Sequence, residues 1–510
     1  MHSGFVADPQ VKAWTEGDAS VVLYHPDLNK TRYLNPSGLS IWRQLARPNT
    51  VDRIARALTN EFEDAPKAEL RKDVADFLAE LCREEYCVPV ETSGTTPAPD
   101  SGDPGSDDLS PSQPGASIEP LVGTAVGSSA QSSAASADLP DSGDSPASVD
   151  ISLTAGCNLR CEYCFYASAM ETRRDLGTEE WLQFFGELGR LPVRSVCLSG
   201  GEIFTRPDLW RLIDAVAANR LRFSILSNGT LIDEPTIGQL SIPSRRRRLD
   251  SIQVSVDGSC PAVHDRSRGE GSFVLAIRGL RLLKEAGFPV ACRVTVNRYN
   301  VDDLENTARL LLEEIGLRSF GTNDAMPMGA GCANQSSICL SPEQQVTAMR
   351  TLHRLAERYG GRVTAMAGPL AKWRMYHEME HARATGERPQ RWQMGRLTAC
   401  GCVFNKLSVH HDGTVTPCNL LAELELGRIN RDSLKDIWKT HPTLAALKAR
   451  RAILMESVPG CADCEWTAFC NGSCPGLAYE LTGDFNRANP HDCYRRFIQE
   501  TGVRFDHNED

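Results

Sequence analysis

Three cysteines fall within eight residues, Cys157-Asn158-Leu159-Arg160-Cys161-Glu162-Tyr163-Cys164, spaced C-x3-C-x2-C. A loop this short can wrap its thiolates around one metal centre. Cysteine thiolates suit zinc and iron–sulfur clusters. A closed zinc site wants four ligands, and a four-iron cube has one ligand position per iron. Three local thiols therefore point to a cube with one iron left for an outside ligand. The competing readings are a zinc loop completed by a remote fourth residue, or buried cysteines packed as small hydrophobes.

The flanks give the loop its setting. Ser148-Val149-Asp150-Ile151-Ser152-Leu153 reads as a short strand entering it. Thr178 to Arg190 reads as the helix that follows, with Thr178 as N-cap and Glu179 and Glu180 in the first turn. Alpha/beta barrels carry their chemistry at such strand-to-helix junctions. Further strands at 194–198, 222–227, 250–256, 290–296 and 318–322 alternate with helices at 208–219, about 233–240, 272–286 and 301–315. The alternation predicts an α/β fold, an open (β/α)6 barrel over residues 148–340.

The rest of the 510 residues divides by composition. Residues 1–93 read as a small α+β domain: a hairpin from Ser20–Tyr24 and Lys30–Leu34, then helices from Ser37 to Leu45, Val51 to Phe62 and Leu70 to Glu85. Ser37 is the expected cap of the first helix. Residues 94–147 are Ser, Ala, Gly, Pro and Asp with almost nothing to bury, which predicts a disordered tether. Residues 341–399 read as a connecting helical segment, with a helix near 341–359. Cysteines return over 400–510: Cys400, Cys402, Cys418, Cys461, Cys464, Cys470, Cys474 and Cys493.

Eighteen cysteines without a secretory signal argue for metal or redox use, not a disulfide framework, and for a cytoplasmic protein. A net charge of −11 argues against nucleic acid as a partner. The lack of a long apolar run argues against a membrane.

Other strand ends in the barrel region carry further signals. Ser199-Gly200-Gly201-Glu202 follows the second strand, with two glycines that permit close backbone approach and a carboxylate that can accept from an ammonium group. Ser227-Asn228-Gly229-Thr230 follows the third, and Ser255-Val256-Asp257-Gly258 ends the fourth, with His264-Asp265-Arg266-Ser267-Arg268 behind it. Together with C-x3-C-x2-C after a first strand, these motifs resemble the radical S-adenosylmethionine (SAM) enzymes. The resemblance implies that Cys157, Cys161 and Cys164 hold a [4Fe-4S] cluster whose open iron takes SAM. It implies that Gly200, Gly201 and Glu202 receive the amino group of SAM, that Ser255 lies near its ribose, that Arg268 lies near its carboxylate, and that Tyr166 lies beside the adenine. Asn297, at the end of the fifth strand, is a weaker candidate. No general base is nameable.

The later cysteines, C-x-C, then G-x4-C at Gly413 and Cys418, then C-x2-C-x5-C-x3-C and a final Cys493, resemble the SPASM domain. That family assigns its ligands across each other. Cys400, Cys402, Cys418 and Cys474 would hold auxiliary cluster I, and Cys461, Cys464, Cys470 and Cys493 auxiliary cluster II, both [4Fe-4S] centres. Two zinc ribbons are the competing reading. Cys402 decides whether cluster I is closed and relays electrons or open and binds substrate. At the other end, Tyr33-Leu34-Asn35-Pro36-Ser37-Gly38 with Ile41-Trp42 resembles the PqqD-like fold, in which an extended leader peptide pairs with a strand edge. A winged-helix-like domain without a peptide is the plainer reading.

The three resemblances together imply an enzyme that modifies a ribosomally made precursor peptide, held through its leader, by forming a thioether or carbon–carbon crosslink. They also imply an electron donor such as a flavodoxin or ferredoxin. Two other readings compete: maturation of an enzyme in the manner of sulfatase-maturating enzymes, and a non-catalytic iron–sulfur peptide scaffold. Asn419 stands where the sulfatase-maturating group has an aspartate, and the intact cluster loop argues against a scaffold.

Overall fold

The computed structural model describes residues 3–16, 20–61, 67–91, 145–172, 174–389, 393–398 and 400–505. Nearly all of the expected tether, 94–147, lies outside them. The chain forms two compact units, Met1–Ser132 and Ser133–Asp510.

In the first unit, strands β1 (Ser3–Ala7), β2 (Lys12–Glu16), β3 (Ser20–His25), β4 (Lys30–Leu34) and β5 (Cys87–Glu91) accompany three helices, Pro36–Gln44, Val51–Glu61 and Lys67–Arg83. Strands β2, β3 and β4 form an antiparallel sheet in that order, and β1 pairs with β5. The expected hairpin is therefore the middle of something larger. Lys12-Ala13-Trp14-Thr15-Glu16 supplies a partner strand in which Trp14 and Thr15 are the β-formers, and β5, which among the described residues pairs with β1 alone, tolerates Pro89. Val21, Leu23 and Leu34 face Ile41, Leu45, Ile54, Leu58, Phe77 and Leu81 in the core. Asn35, not Ser37, caps the first helix. Its carboxamide oxygen accepts from the Gly38 amide at 2.9 Å, and Pro36 takes the first helical position, where no N–H is needed.

The second unit is built on a ten-stranded sheet. Six parallel strands, β6 (Ser148–Ser152), β7 (Ser195–Ser199), β8 (Arg222–Ser227), β9 (Leu249–Ser255), β10 (Val290–Val296) and β11 (Phe320–Asp324), stand in sequence order as the α/β barrel reading expects. Val149, Ile151, Val196, Leu198, Phe223, Ile225, Ile252, Val254, Val294 and Val296 are buried at alternate positions along them. The sheet does not stop at six. Strand β12 (Val363–Ala365) adds in parallel beyond β11, and β13 (Lys406–Val409) adds in parallel beside β6. Strands β14 (Thr414–Thr416) and β15 (Gly427–Arg428) continue it antiparallel. The cysteine-rich segment thus extends the barrel sheet directly.

Three local expectations change. Gly177 caps the helix after the cluster loop, because the Glu180 carboxylate accepts from its amide at 2.9 Å. Thr178 instead donates to Asp208 at 2.7 Å. The single helix expected over 301–315 is broken into a short turn, an α-helical turn and a wider π turn over Leu310–Glu314 that buries Leu310, Leu311 and Leu312. The connecting segment holds a second helix, Pro369–Thr385, after Pro342–Arg358. Its Trp373 and Tyr376 pack with Trp466, Tyr494, Phe497 and Phe505 of the cysteine-rich end.

Candidate active site

The cluster loop leaves β6 and is tied down by its own backbone. The Ala155 amide donates to Asp175 at 2.8 Å, and the Thr154 hydroxyl bonds the same carboxylate. The Gly-Gly-Glu turn runs against this loop. Gly201 donates to the Thr154 carbonyl and Glu202 to the Gly156 carbonyl, each at 2.8 Å. A Cβ on Gly200 would stand 2.3 Å from the Thr154 carbonyl oxygen, and one on Gly201 the same distance from that of Gly156. The glycines are required first by this backbone contact. Any side chain would push the turn off the loop.

Glu202 is fully buried. Its carboxylate accepts from the Ser227 hydroxyl at 3.0 and 3.1 Å and from the Asn228 and Phe204 amides at 2.7 and 3.2 Å. Burial pushes its pKa up to about 7, against the lowering effect of these bonds. Such a carboxylate gains by meeting an ammonium group. Asn228 then reaches Asn158 in the cluster loop at 2.9 Å, and Asn158 donates to Thr230 at 2.8 Å. The Asn-Gly turn, read from sequence only as a turn, therefore links the Glu202 site to the cluster loop.

The other wall is the Asp257–Arg268 pair. Arg268 Nε meets Asp257 Oδ2 at 2.6 Å with both side chains buried, and the Tyr163 hydroxyl bonds the same carboxylate. The Arg268 guanidinium lies over the Tyr163 ring at 5.5 Å. His264 Nδ1 accepts from the Asp257 amide at 3.0 Å, and burial, then Arg268, holds its pKa down to about 4, so it stays neutral. Sequence reasoning missed Tyr163 and gave Asp257 no role. An aromatic residue between two cysteines of a metal loop was the available signal. Tyr166 lies beside His410 and His411. Its hydroxyl shares a 2.7 Å hydrogen bond with His411 Nδ1, and its ring stacks on His410 at 6.3 Å. Ser255 ends β9 opposite Arg293 of β10. Asn297 is occupied by its own turn, with bonds to the Thr295 carbonyl and the Tyr299 amide.

The thiols fall into three groups that act on one another electrostatically. Cys157, Cys161 and Cys164 form one. Cys400, Cys402, Cys418 and Cys474 form the second. Cys461, Cys464, Cys470 and Cys493 form the third. Burial raises most of these thiols, Cys161, Cys418 and Cys474 to about 11 and Cys470 to about 12. The Cys157 and Cys470 sulfurs accept backbone N–H bonds from Leu159 at 3.4 Å and Gly472 at 3.3 Å, as ligand sulfurs do. Among the described residues no three His, Cys, Asp or Glu side chains converge tightly enough to grip a single ion. Eleven thiols gathered in groups of three, four and four are the donor set that iron–sulfur clusters use. A cavity of about 400 Å³ opens beside the second group, lined by Asp324, Met366, Lys372, Cys400, Cys474 and His491. Another of about 340 Å³ is lined by Phe165, Tyr166, Met328, His411, Asn419 and Tyr479.

Known families match in three segments. Residues 151–311 match the radical SAM superfamily, residues 20–86 the coenzyme PQQ synthesis protein D family (PqqD), and residues 400–465 the iron–sulfur cluster-binding domain SPASM. The chain is a radical SAM enzyme. More particularly, it is one whose catalytic domain stands between a PqqD-type domain and a SPASM domain, so its cofactors are a [4Fe-4S] cluster, SAM and auxiliary iron–sulfur clusters. Cys470, Cys474 and Cys493 lie beyond the SPASM match.

Among curated relatives, the AdoMet-dependent heme synthase of Methanosarcina barkeri is 27% identical over 350 residues, 67% of this chain and 95% of the relative. The PqqA peptide cyclase of Ruegeria pomeroyi is 28% identical over 344 residues, 66% and 84% of the two chains. Mycofactocin maturase MftC of Mycolicibacterium smegmatis is 35% identical over 168 residues, 33% of this chain and 42% of the relative. Among solved structures, Streptococcus suis SuiB bound to precursor peptide SuiA matches 96% of this chain and all of its own at TM-score 0.58 and 11% identity, a likeness of fold. No helix among the described residues is long and apolar enough to cross a membrane.

Proposed function

We propose that the protein matures a ribosomally made precursor peptide by radical chemistry. The observation that carries this reading is the union, in one chain, of a PqqD-type domain with an open strand edge and a radical SAM–SPASM pair. Among the described residues strand β4 pairs with β3 alone. Tyr33 on it is 57% exposed, while Arg32 turns inward to Glu80 and Glu84 at 2.9 and 2.5 Å. An extended leader adding beside β4 would take the free backbone groups, with Tyr33 as a side-chain anchor. Tethered to the barrel, the leader would hold the core segment at high local concentration.

When bound, the loop cube and SAM supply a 5′-deoxyadenosyl radical that takes a hydrogen atom from substrate. In this proposal Cys157, Cys161 and Cys164 hold that cube and leave one iron to the cofactor. Glu202, with Gly200 and Gly201, receives the cofactor's amino group. The Ser255 hydroxyl faces the ribose, and Arg268, oriented by Asp257 and Tyr163, fixes the carboxylate end. Cys400, Cys402, Cys418 and Cys474 close auxiliary cluster I, and Cys461, Cys464, Cys470 and Cys493 hold cluster II. With Cys402 as its fourth ligand, cluster I would be closed and would supply an acceptor for the electron released when a thioether or carbon–carbon bond forms. The donor that reduces the loop cube is a flavodoxin or ferredoxin.

The heme synthase likeness favours a second reading, a small-molecule substrate. Residues 20–86 separate the two. The test is anaerobic incubation of the reconstituted enzyme, SAM and short peptides encoded beside its gene. Mass spectrometry should find a peptide that has lost two hydrogens, in step with 5′-deoxyadenosine. Deleting residues 1–93 should abolish peptide binding and spare uncoupled SAM cleavage. Equal loss of both would refute tethered capture.

A further inference from the structure

Arg450 is wholly buried, and its surroundings are unusual. Buried Arg222, Arg245 and Arg268 each face an aspartate: Asp250, Asp214 and Asp257, all at 2.6 Å. Arg450 faces backbone carbonyls. Nε donates to Phe485 at 2.6 Å and Nη2 to Arg487 at 2.8 Å, while Nη1 bonds Thr398 and lies 3.4 Å from the Ser473 carbonyl. Among the described residues no carboxylate stands within ion-pair distance of it. Thr398 is two residues before Cys400, and Ser473 immediately precedes Cys474. The negative groups that bear on the guanidinium are, in order of strength, Cys474, Cys400 and only then Asp484. Burial draws its pKa down to about 10, which leaves it charged at neutral pH.

A buried cation without a paired anion is costly. Here the missing negative charge is what a thiolate-ligated cluster brings. A cube on four thiolates is anionic, and its reduced state is one charge more so. A fixed positive charge stabilises the reduced state more, and cluster potential follows local charge and solvent exposure. Among the described residues the third cysteine group has no buried arginine of this kind, and the buried Lys372 near Cys493 is paired with Asp324 and Asp492. Arg495 and Arg487 act on Cys461, but both are partly exposed and screened by water.

We propose that Arg450 is a positioning residue for auxiliary cluster I: it ties the Cys400 and Cys474 segments together and holds a positive charge against the cluster, so that cluster I accepts an electron more readily than cluster II. The proposal rests on the cluster assignment above. In the reaction proposed there, the substrate radical loses one electron to oxidised cluster I and one proton to solvent as the new bond closes. That electron then passes to an external oxidant, the oxidised flavodoxin or ferredoxin named above.

The test is a redox titration followed by electron paramagnetic resonance on the fully loaded enzyme without peptide, so failure of the peptide reading leaves it standing. In the wild type, cluster I should be reduced before cluster II. In R450Q, the reduced-to-oxidised ratio of cluster I at a fixed potential should fall at least tenfold, with cluster II unmoved. In R450K, which keeps the charge and loses the carbonyl fork, that ratio should stay within a few-fold of wild type while thermal stability drops. A merely structural arginine would lower stability in both variants and leave the ratio alone. That outcome overturns the proposal, as does reduction of cluster II first in the wild type. Should R450Q lose its iron, the order of reduction in the wild type and in R450K decides, and cluster II reduced first in either overturns it.

Discussion

Cys157, Cys161 and Cys164 come from one loop, pinned by Asp175, the Gly-Gly-Glu turn and the Ser267 carbonyl. Each cysteine quartet of the C-terminal region is instead gathered from distant segments, the second spanning Cys400 to Cys474 and the third Cys461 to Cys493. The trio is shaped by backbone bonds that need no metal. The quartets sit among short turns and strands of three or two residues, β14 and β15, and the aromatic core beside them is shared with Trp373 and Tyr376 of the connecting helix. Metal binding should therefore contribute to folding in the quartets and only to chemistry in the trio.

Replacing all three loop cysteines by alanine gives the largest effect. SAM cleavage should fall at least about 10³-fold, because the radical source is gone. The melting temperature should stay within roughly 2 °C, as expected for partly exposed positions outside the core. A large drop in stability would erase the contrast. The reverse pattern belongs to the Cys461→Ala/Cys464→Ala double variant. It should melt roughly 5–10 °C lower, with part of the iron lost, while SAM cleavage without peptide persists.

Glu202→Gln sharpens the chemistry of the trio's neighbourhood. Loss of a charge-assisted bond should weaken SAM binding by about 10–100-fold. The wild type carries a matching pH dependence. Only ionised Glu202 receives an ammonium group. Its pKa, raised to about 7 by burial, means affinity is full above that pH and is lost as pH falls through it, by roughly tenfold per unit below. Titration calorimetry of wild type and variant checks both. Asn35→Ala is the smallest case, a cap worth about 1 kcal/mol in the N-terminal domain. That domain's transition should drop by roughly 4–8 °C, with SAM binding unchanged.

The barrel strands were legible because they are short runs alternating with helices, the first four ending in a motif, and their order follows the chain. The trio was legible because spacing alone brings its thiols together. Strands β13 to β15 were not foreseen as part of the barrel sheet, since nothing in Lys406–Val409 tells which edge it will meet. Strand β2 was passed over because its alternation is brief. Ser37 and Asn35 can both cap, and Pro36 at the first helical position marks Asn35 as the cap. Tyr166 was named from its place in a motif, and Tyr163 had no such cue. The hydrogen bond to His411, 245 residues away, is invisible in sequence.

The central claim is an incompletely ligated cube on Cys157, Cys161 and Cys164 that passes an electron to SAM. Anaerobically purified enzyme, reduced and given SAM, should yield 5′-deoxyadenosine and methionine in equal amounts. Zinc in place of iron, or neither product from protein rich in iron and sulfide, would contradict it.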